Sequence, residues 1–171
     1  MILIADSGST KTDWILLDAS KKEVFRARGL GLNPSILLEK ELLKRLNSIE
    51  KIITVKSKIT EVYFYGAGCS SSKPIAVLTA ILKTVFINAK ALVNEDMLAA
   101  VYACTAKKPA IVCILGTGSN SCYYDGNQMQ NIGHSLGYSI MDEASGNYFG
   151  KELLRDYFYN RMPELLKNQF T

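Results

Sequence analysis

A glycine-hinged hairpin occurs twice in this chain, and no other feature of the sequence restricts its fold as tightly. The first copy is Ile4-Ala5-Asp6-Ser7-Gly8-Ser9-Thr10-Lys11-Thr12, and the second is Ile114-Leu115-Gly116-Thr117-Gly118-Ser119-Asn120-Ser121. Each has an apolar run, a Gly-Ser turn with hydroxyl or amide neighbours, and a second apolar run ended by an acidic turn at Asp18 or Asp125. Glycines let a backbone approach a polyphosphate closely, and successive N–H groups beside hydroxyls form an anion-binding concavity. Two such loops turned toward one triphosphate would clamp a nucleotide between two lobes, which points to an ATP-cleft enzyme.

The pattern around the hairpins sets the fold class. Apolar, β-prone segments over 1–6, 12–18 and 23–28, with a polar turn at Lys21-Lys22, read as a three-stranded meander. Gly29-Leu30-Gly31-Leu32-Asn33-Pro34 breaks that pattern as a loop. From Ser35 onward, Leu38, Leu42, Leu46, Ile49 and Ile53 recur at helical spacing and predict one amphipathic helix. A strand over 62–67, a glycine-serine loop, a helix carrying Val77, Leu78, Ile81, Leu82 and Val85, and a short strand over 91–93 follow. Asn94-Glu95-Asp96 then opens a third helix. The order β-β-β-α-β-α-β-α implies an α/β unit with a mostly parallel sheet. Lys107-Lys108-Pro109 is the boundary candidate, dividing the chain into 1–107 and 108–171. The meander restarts over 110–115, 119–124 and 128–132, and a glycine-rich segment over 133–146 leads to a helix bearing Tyr148, Leu153, Leu154, Tyr157 and Phe158. A second unit that repeated the first would need further strands and helices, so the expectation is a two-lobed protein truncated at its C-terminus.

Composition removes several classes. No apolar stretch approaches the roughly 20 residues of a spanning helix, and no basic leader opens the chain, so a cytoplasmic protein without a membrane partner is expected. The 20 basic and 16 acidic residues are spread along the chain, and no dense Lys/Arg block is punctuated by aromatics. Nucleic acid is therefore not an expected partner. Cys69, Cys104, Cys113 and Cys122 contain no C-x-x-C pair, and His134 is the sole histidine, which supplies a zinc site poorly. Cys113 and Cys122 can face each other across the second hairpin, but buried free thiols are the expectation. His134 reads as a loop residue and Trp14 as strand core.

The chemistry-bearing residues fall at loop ends. The first hairpin lies between two strands and has no glycine before Lys11, so it is not a Walker A loop. Asp6 can carry a hydrated Mg2+, which takes one or two carboxylates plus phosphate oxygens, or cap a tight turn. Gly8, Ser9, Thr10, Lys11 and Thr12, and in the second copy Gly116, Gly118 and Ser119, are the candidate phosphate donors. Asp96, at the carboxyl end of a strand, can accept the proton of an attacking hydroxyl or serve as a helix N-cap. Asp142 can contact a polyhydroxy substrate, or it or Ser145 can cap the following helix. Asn33 can bind a sugar hydroxyl or cap the helix that Pro34 would begin.

Taken together, Ile4 to Trp14, Asn94-Glu95-Asp96-Met97-Leu98-Ala99-Ala100 and Ile114 to Asn120 resemble the motifs of the sugar-kinase, Hsp70 and actin superfamily. Within it they are similar to the N-acetylglucosamine kinase and BadF/BadG-type ATPase family, and the resemblance covers essentially the whole chain. It implies ribonuclease-H-like, actin-type ATPase lobes, the second only begun, and transfer of the ATP γ-phosphate to the 6-hydroxyl of an N-acetylated amino sugar. Asp96 then matches the general base and Asp6 the metal-associated carboxylate. Asn33, Asn94, Thr117 and Asp142 match positions that line the sugar pocket. The family's W-G-x-x-x-G-D-E-G-S segment is departed from at Leu136, Met141 and Ala144. Its adenosine-binding glycine motif would lie beyond Thr171, and exposed apolar surface would follow, with weak activity, self-association as a homodimer, or dependence on the missing segment. The alternatives are an ATPase that activates a partner enzyme and a silent sugar or nucleotide sensor.

Overall fold

Alternation in the first strands becomes a pleat with one wet and one dry side. Leu3, Ala5 and Ser7 of β1 (Ile2–Ser7) and Thr12, Trp14 and Leu16 of β2 (Lys11–Leu17) are buried together, while the residues between them face the other way. The structure, a computed structural model, describes residues 1–131 and 136–170, which form two compact units, Met1–Ala99 and Ala100–Thr171.

In the first unit, β3 (Glu23–Leu30), β4 (Glu61–Gly66) and β5 (Lys90–Glu95) complete a five-stranded sheet of order β3-β2-β1-β4-β5. The expected mostly parallel sheet is in fact mixed. Short turns force β1, β2 and β3 to pair antiparallel, and only the helical crossovers lay β4 and β5 parallel to β1. Helices α1 (Glu39–Asn47), α2 (Glu50–Ile53) and α3 (Ser72–Val85) supply Leu42, Leu46, Ile52, Leu78 and Leu82 to the core. Those side chains meet Leu3, Trp14, Leu16, Val62 and Phe64 from the sheet, and the rings of Trp14 and Phe64 stand edge to face at 5.9 Å.

Several boundaries differ from the sequence reading: β3 continues through Gly29 and Leu30, which read as loop, and the one helix expected through Ile53 is broken into α1 and α2. The helix predicted from Ser35 starts only at Glu39, because the Ile36 and Leu37 amides are drawn into a turn on the Asn33 carbonyl at 3.4 and 3.1 Å. Leu38, assigned to the buried stripe, instead precedes the helix and is 81% exposed. Asn94 and Glu95 do not open the third helix either. They finish β5, and α4 (Asp96–Cys104) begins at Asp96 with no connecting residue.

The second unit contains the antiparallel meander β6 (Ala110–Leu115), β7 (Ser119–Tyr124) and β8 (Met129–Asn131), then α5 (Gly146–Phe158) and α6 (Glu164–Phe170). Ile132, the predicted end of the third strand, and His134 lie outside the described residues. Cys113 is opposite Ser121 and Cys122 opposite Val112, so the two thiols do not face each other. None of the four cysteines forms a disulfide; Cys69 and Cys122 are buried as expected, whereas Cys104 and Cys113 are exposed. One face of the meander presents Ile111, Leu115 and Tyr123 to solvent, and α5 exposes Phe149, Leu153 and Phe158. Among the described residues no helix is long and apolar enough to cross a membrane.

Candidate functional site

The first hairpin is fastened from inside by a chain of hydroxyls. The Leu32 amide donates to Ser7 Oγ at 3.0 Å, Ser7 Oγ lies 2.7 Å from Thr12 Oγ1, and Thr12 Oγ1 donates to the Leu30 carbonyl at 3.1 Å. With the Thr12 proton on the Leu30 carbonyl, the Ser7 hydroxyl can donate to Thr12 or to the Gly8 carbonyl at 3.4 Å, and the run lies within a buried setting. Thr12 was expected among the phosphate donors, but its hydroxyl is wholly engaged here and the residue is fully buried. It holds the hairpin's shape. Ser9, Thr10 and Lys11 are exposed at the tip, and Gly8 is half-buried beside them. Lys11 Nζ stands 3.6 Å from Asp13 Oδ2 in a pair open to water, an association that leaves the ammonium free to turn elsewhere. Asn33 donates from Nδ2 to Ser9 Oγ at 3.5 Å and accepts the Ser35 amide at 2.9 Å, so it ties the tip to the turn before α1.

Strand register brings a line of polar side chains across the sheet. Arg28 of β3, Asp13 of β2, Asp6 of β1, Tyr65 of β4 and Asn94 of β5 are successive partners, all on the face opposite the buried core. Asp6, Tyr65 and Asn94 each precede the last residue of their strands, so the line runs along the carboxyl end of the parallel strands, where open α/β sheets take their ligands. Arg28 Nε donates to Asp13 Oδ1 at 2.6 Å and holds that carboxyl below the ordinary range, with desolvation opposing. Asp6 is pushed the other way, first by partial burial and then by the Asp13 charge, while Lys11 pulls it back. Tyr65 was not among the residues singled out from the sequence. Counting register from Asp6 through β4 to Asn94 is the signal that finds it.

Asp96 stands where β5 turns directly into α4. Burial raises its carboxyl above the usual carboxylate range, and the charge on Asp6 adds to that; the Met97 amide, donating to Oδ1 at 2.9 Å, offsets part of it. Cys69 lies close enough for Asp96 and Glu95 to act on it, and burial followed by those charges pushes its thiol up to about 12. A thiol that stays protonated is no nucleophile, which leaves carboxylates, Asp96 the one of raised proton affinity among them, as the groups able to take a proton in this corner. Among the described residues no group of three or more metal-ligating side chains gathers. Asp6, an open carboxylate with Asp96 in electrostatic reach, does meet the one or two carboxylates that magnesium takes when phosphate oxygens and water fill its other positions.

The second hairpin is built differently. Its tip is closed by the Gly116 amide on the Gly118 carbonyl at 2.9 Å, and the start of α5 docks onto it through Gly146 N–H to Gly116 O at 2.8 Å and Asn147 N–H to Thr117 O at 3.2 Å. Ser145 caps α5 by accepting the Tyr148 amide at 3.1 Å, which leaves Asp142 free of that task. Asp142 adopts a left-handed backbone, φ 68°, and its carboxylate lies against Gly118: a Cβ there would fall 2.6 Å from Oδ2. Thr117 is exposed at the tip and Ser119 half-buried. Gly116, Thr117, Gly118 and Asp142 are thus gathered in the second unit, and Asp6, Ser9, Thr10, Lys11, Asn33, Asn94 and Asp96 belong to the first.

No protein-family model matches the chain, and no curated protein matches it. Among solved structures, a protein of Porphyromonas gingivalis assigned as an N-acetylglucosamine kinase is 39% identical, with a TM-score of 0.92 over 99% of this chain. The chain spans 60% of that protein's length. A ROK family glucokinase from Streptomyces griseus, solved with glucose and AMPPNP, is 17% identical over 75% of this chain and 46% of its own, with a TM-score of 0.54. A ROK family transcriptional regulator, homologous to the E. coli MLC protein, is 9% identical over 98% of this chain and 52% of its own, with a TM-score of 0.63. The mixed five-stranded sheet followed by a second, smaller meander is therefore an actin-type ATPase fold.

Proposed function

We propose that the chain carries the phosphate-binding and proton-accepting parts of an ATP-dependent sugar kinase that acts on the 6-hydroxyl of N-acetylglucosamine or a related amino sugar. The observation that carries this reading is Asp96: a partly buried carboxylate of raised proton affinity, at the carboxyl end of a parallel strand, within electrostatic reach of Asp6 and in the same unit as a glycine hairpin with exposed donors. The likeness to the Porphyromonas gingivalis protein supports the choice of sugar class.

In this reading Asp96 accepts the proton of the sugar hydroxyl as its oxygen bonds to the γ-phosphorus and the bond from that phosphorus to the β,γ-bridging oxygen breaks, releasing ADP. Raised basicity helps, since a carboxylate at its ordinary pKa is a weak base at neutral pH. The amides of Ser9, Thr10 and Lys11 and the hydroxyls of Ser9 and Thr10 offset negative charge on the phosphates, and Gly118 and Ser119 offer donors of the same kind, whereas the Gly116 amide is taken up by the Gly118 carbonyl. Asp6 would hold the water shell of a magnesium ion, which would supply neutralisation of the phosphate charge. Asn33, Asn94, Thr117 and Asp142 are proposed to bind the sugar, with Asn33 also setting Ser9.

Incubation with Mg-ATP and a panel of N-acetylated hexosamines, with the products read by mass, tests the proposal; a monophosphorylated sugar is expected. A second reading, a sensor that binds sugar without turnover, draws support from the regulator of the same fold. It predicts saturable sugar binding with no phosphorylated product from any member of the panel. An ATPase that activates a partner enzyme predicts ATP hydrolysis that no sugar stimulates.

A further inference from the structure

The tip of the first hairpin rests on a glycine distant from it in sequence. Gly31 is buried, and its amide donates to the Thr10 carbonyl at 2.9 Å. A Cβ on Gly31 would fall 2.4 Å from the Ser9 carbonyl oxygen and 2.6 Å from that of Gly8. Three consecutive tip carbonyls therefore crowd onto this one glycine. Every peptide among the described residues is trans, so the N–H groups of Ser9, Thr10 and Lys11, on the opposite edges of those three planes, face away from it. Gly31 is in turn held from behind. Its carbonyl accepts Arg45 Nη1 of α1 at 2.8 Å, and the same guanidinium is aimed by Nε on Glu41 Oε1, also 2.8 Å, one helical turn earlier.

We propose that Arg45 is a positioning residue for the first hairpin, acting through Gly31 to keep the Ser9, Thr10 and Lys11 amides turned outward toward a nucleotide's phosphates; this rests on the reading of that hairpin as a phosphate site. A charge-assisted bond is stronger than a neutral one, and a planar fork that bonds two partners at once fixes direction as well as distance. Leu42 and Leu46 anchor α1 in the core independently of Arg45, so the helix does not need the guanidinium to stay in place.

The test compares the full chain with Arg45→Met, Arg45→Lys and Glu41→Gln, reading backbone amide resonances by NMR and titrating AMPPNP with Mg2+ and N-acetylglucosamine separately. Arg45→Met is expected to shift the Ser9, Thr10 and Lys11 amides and to weaken AMPPNP by roughly tenfold, while sugar affinity and Tm stay near those of the parent. Arg45→Lys, which keeps one donor for the Gly31 carbonyl without the fork to Glu41, is expected to recover part of the loss. Unmoved tip amides in Arg45→Met overturn the proposal, as does a parallel fall in sugar affinity, nucleotide affinity and Tm. If Arg45→Met does not fold, Glu41→Gln reads the same amides, and unchanged resonances there overturn it equally. Failure of AMPPNP to bind the parent chain contradicts the phosphate-site reading alone, and the amide shifts then decide the role of Arg45.

Discussion

Asp6 near the end of β1 raises the cost of ionising Asp96 at the start of α4: the charge on Asp6 adds to the burial that already lifts the Asp96 carboxyl. Two carboxylates in one corner, one open and one partly buried, suit the proposed division into a cation-associated group and a base.

The raised Asp96 pKa has a signed consequence for stability. The unfolded chain ionises this group at an ordinary carboxylate pKa of about 3.9, and the folded chain only at higher pH. Its contribution is therefore fully present below that ordinary value and is lost as pH rises through the folded pKa. Asp96→Asn, which cannot ionise, is expected to raise Tm relative to the parent at pH 7, with the difference closing under strongly acid conditions. Paired thermal melts across pH check this, and a variant less stable at pH 7 contradicts it. Under the proposed kinase reading the same shift is expected to place the acid limb of kcat/KM above the usual carboxylate range.

Thr12 and Ser9 should separate stability from binding. Thr12→Val keeps the shape but leaves the inner hydroxyl chain broken between Ser7 and the Leu30 carbonyl, and a loss of about 1–3 kcal/mol is expected in urea unfolding. Ser9→Ala at the exposed tip is expected to leave unfolding within about 0.5 kcal/mol and to weaken nucleotide binding instead.

Gly118 has no room for a methyl group while the Asp142 carboxylate stays where it is. Since that carboxylate is the movable end of a side chain on an open segment, Gly118→Ala is expected to displace it at little cost in folding. Ligand affinity should fall by roughly tenfold, about 1.4 kcal/mol, with Tm nearly unchanged. Calorimetric titration beside a thermal melt distinguishes this from general destabilisation.

The exposed apolar side chains of the second unit predict self-association. Ile111, Leu115 and Tyr123 share one face of the meander, a concentration of apolar surface unusual for a protein that stays monomeric. Sedimentation over a range of concentrations should show a rising mean mass, reduced by Ile111→Lys with Leu115→Lys. A constant monomer mass contradicts the expectation.

Much of this was legible in the residues themselves. Period-two alternation through Leu3, Ala5, Trp14 and Leu16 reports the dry side of the sheet directly, and the glycine hairpins and Asp96 sit where strands end. What escaped depends on partners distant in sequence. Thr12 reads as a ligand hydroxyl until the pairing of β1 with β2 sets it opposite Ser7, inside. Tyr65 enters the polar line only through the register of β4 against β1 and β5. The late start of α1 follows from the Asn33 turn, because its carbonyl draws the amides of Ile36 and Leu37. Helix α6, only seven residues long after Pro163, shows too little periodicity to be read from pattern.

Transfer of labelled γ-phosphate from ATP to N-acetylglucosamine, followed side by side in the parent chain and Asp96→Asn, bears most directly on the role of Asp96. The parent is expected to place label on the 6-oxygen, and the variant to lose at least about a hundredfold in rate while still binding the sugar. Equal labelling by both would contradict the account.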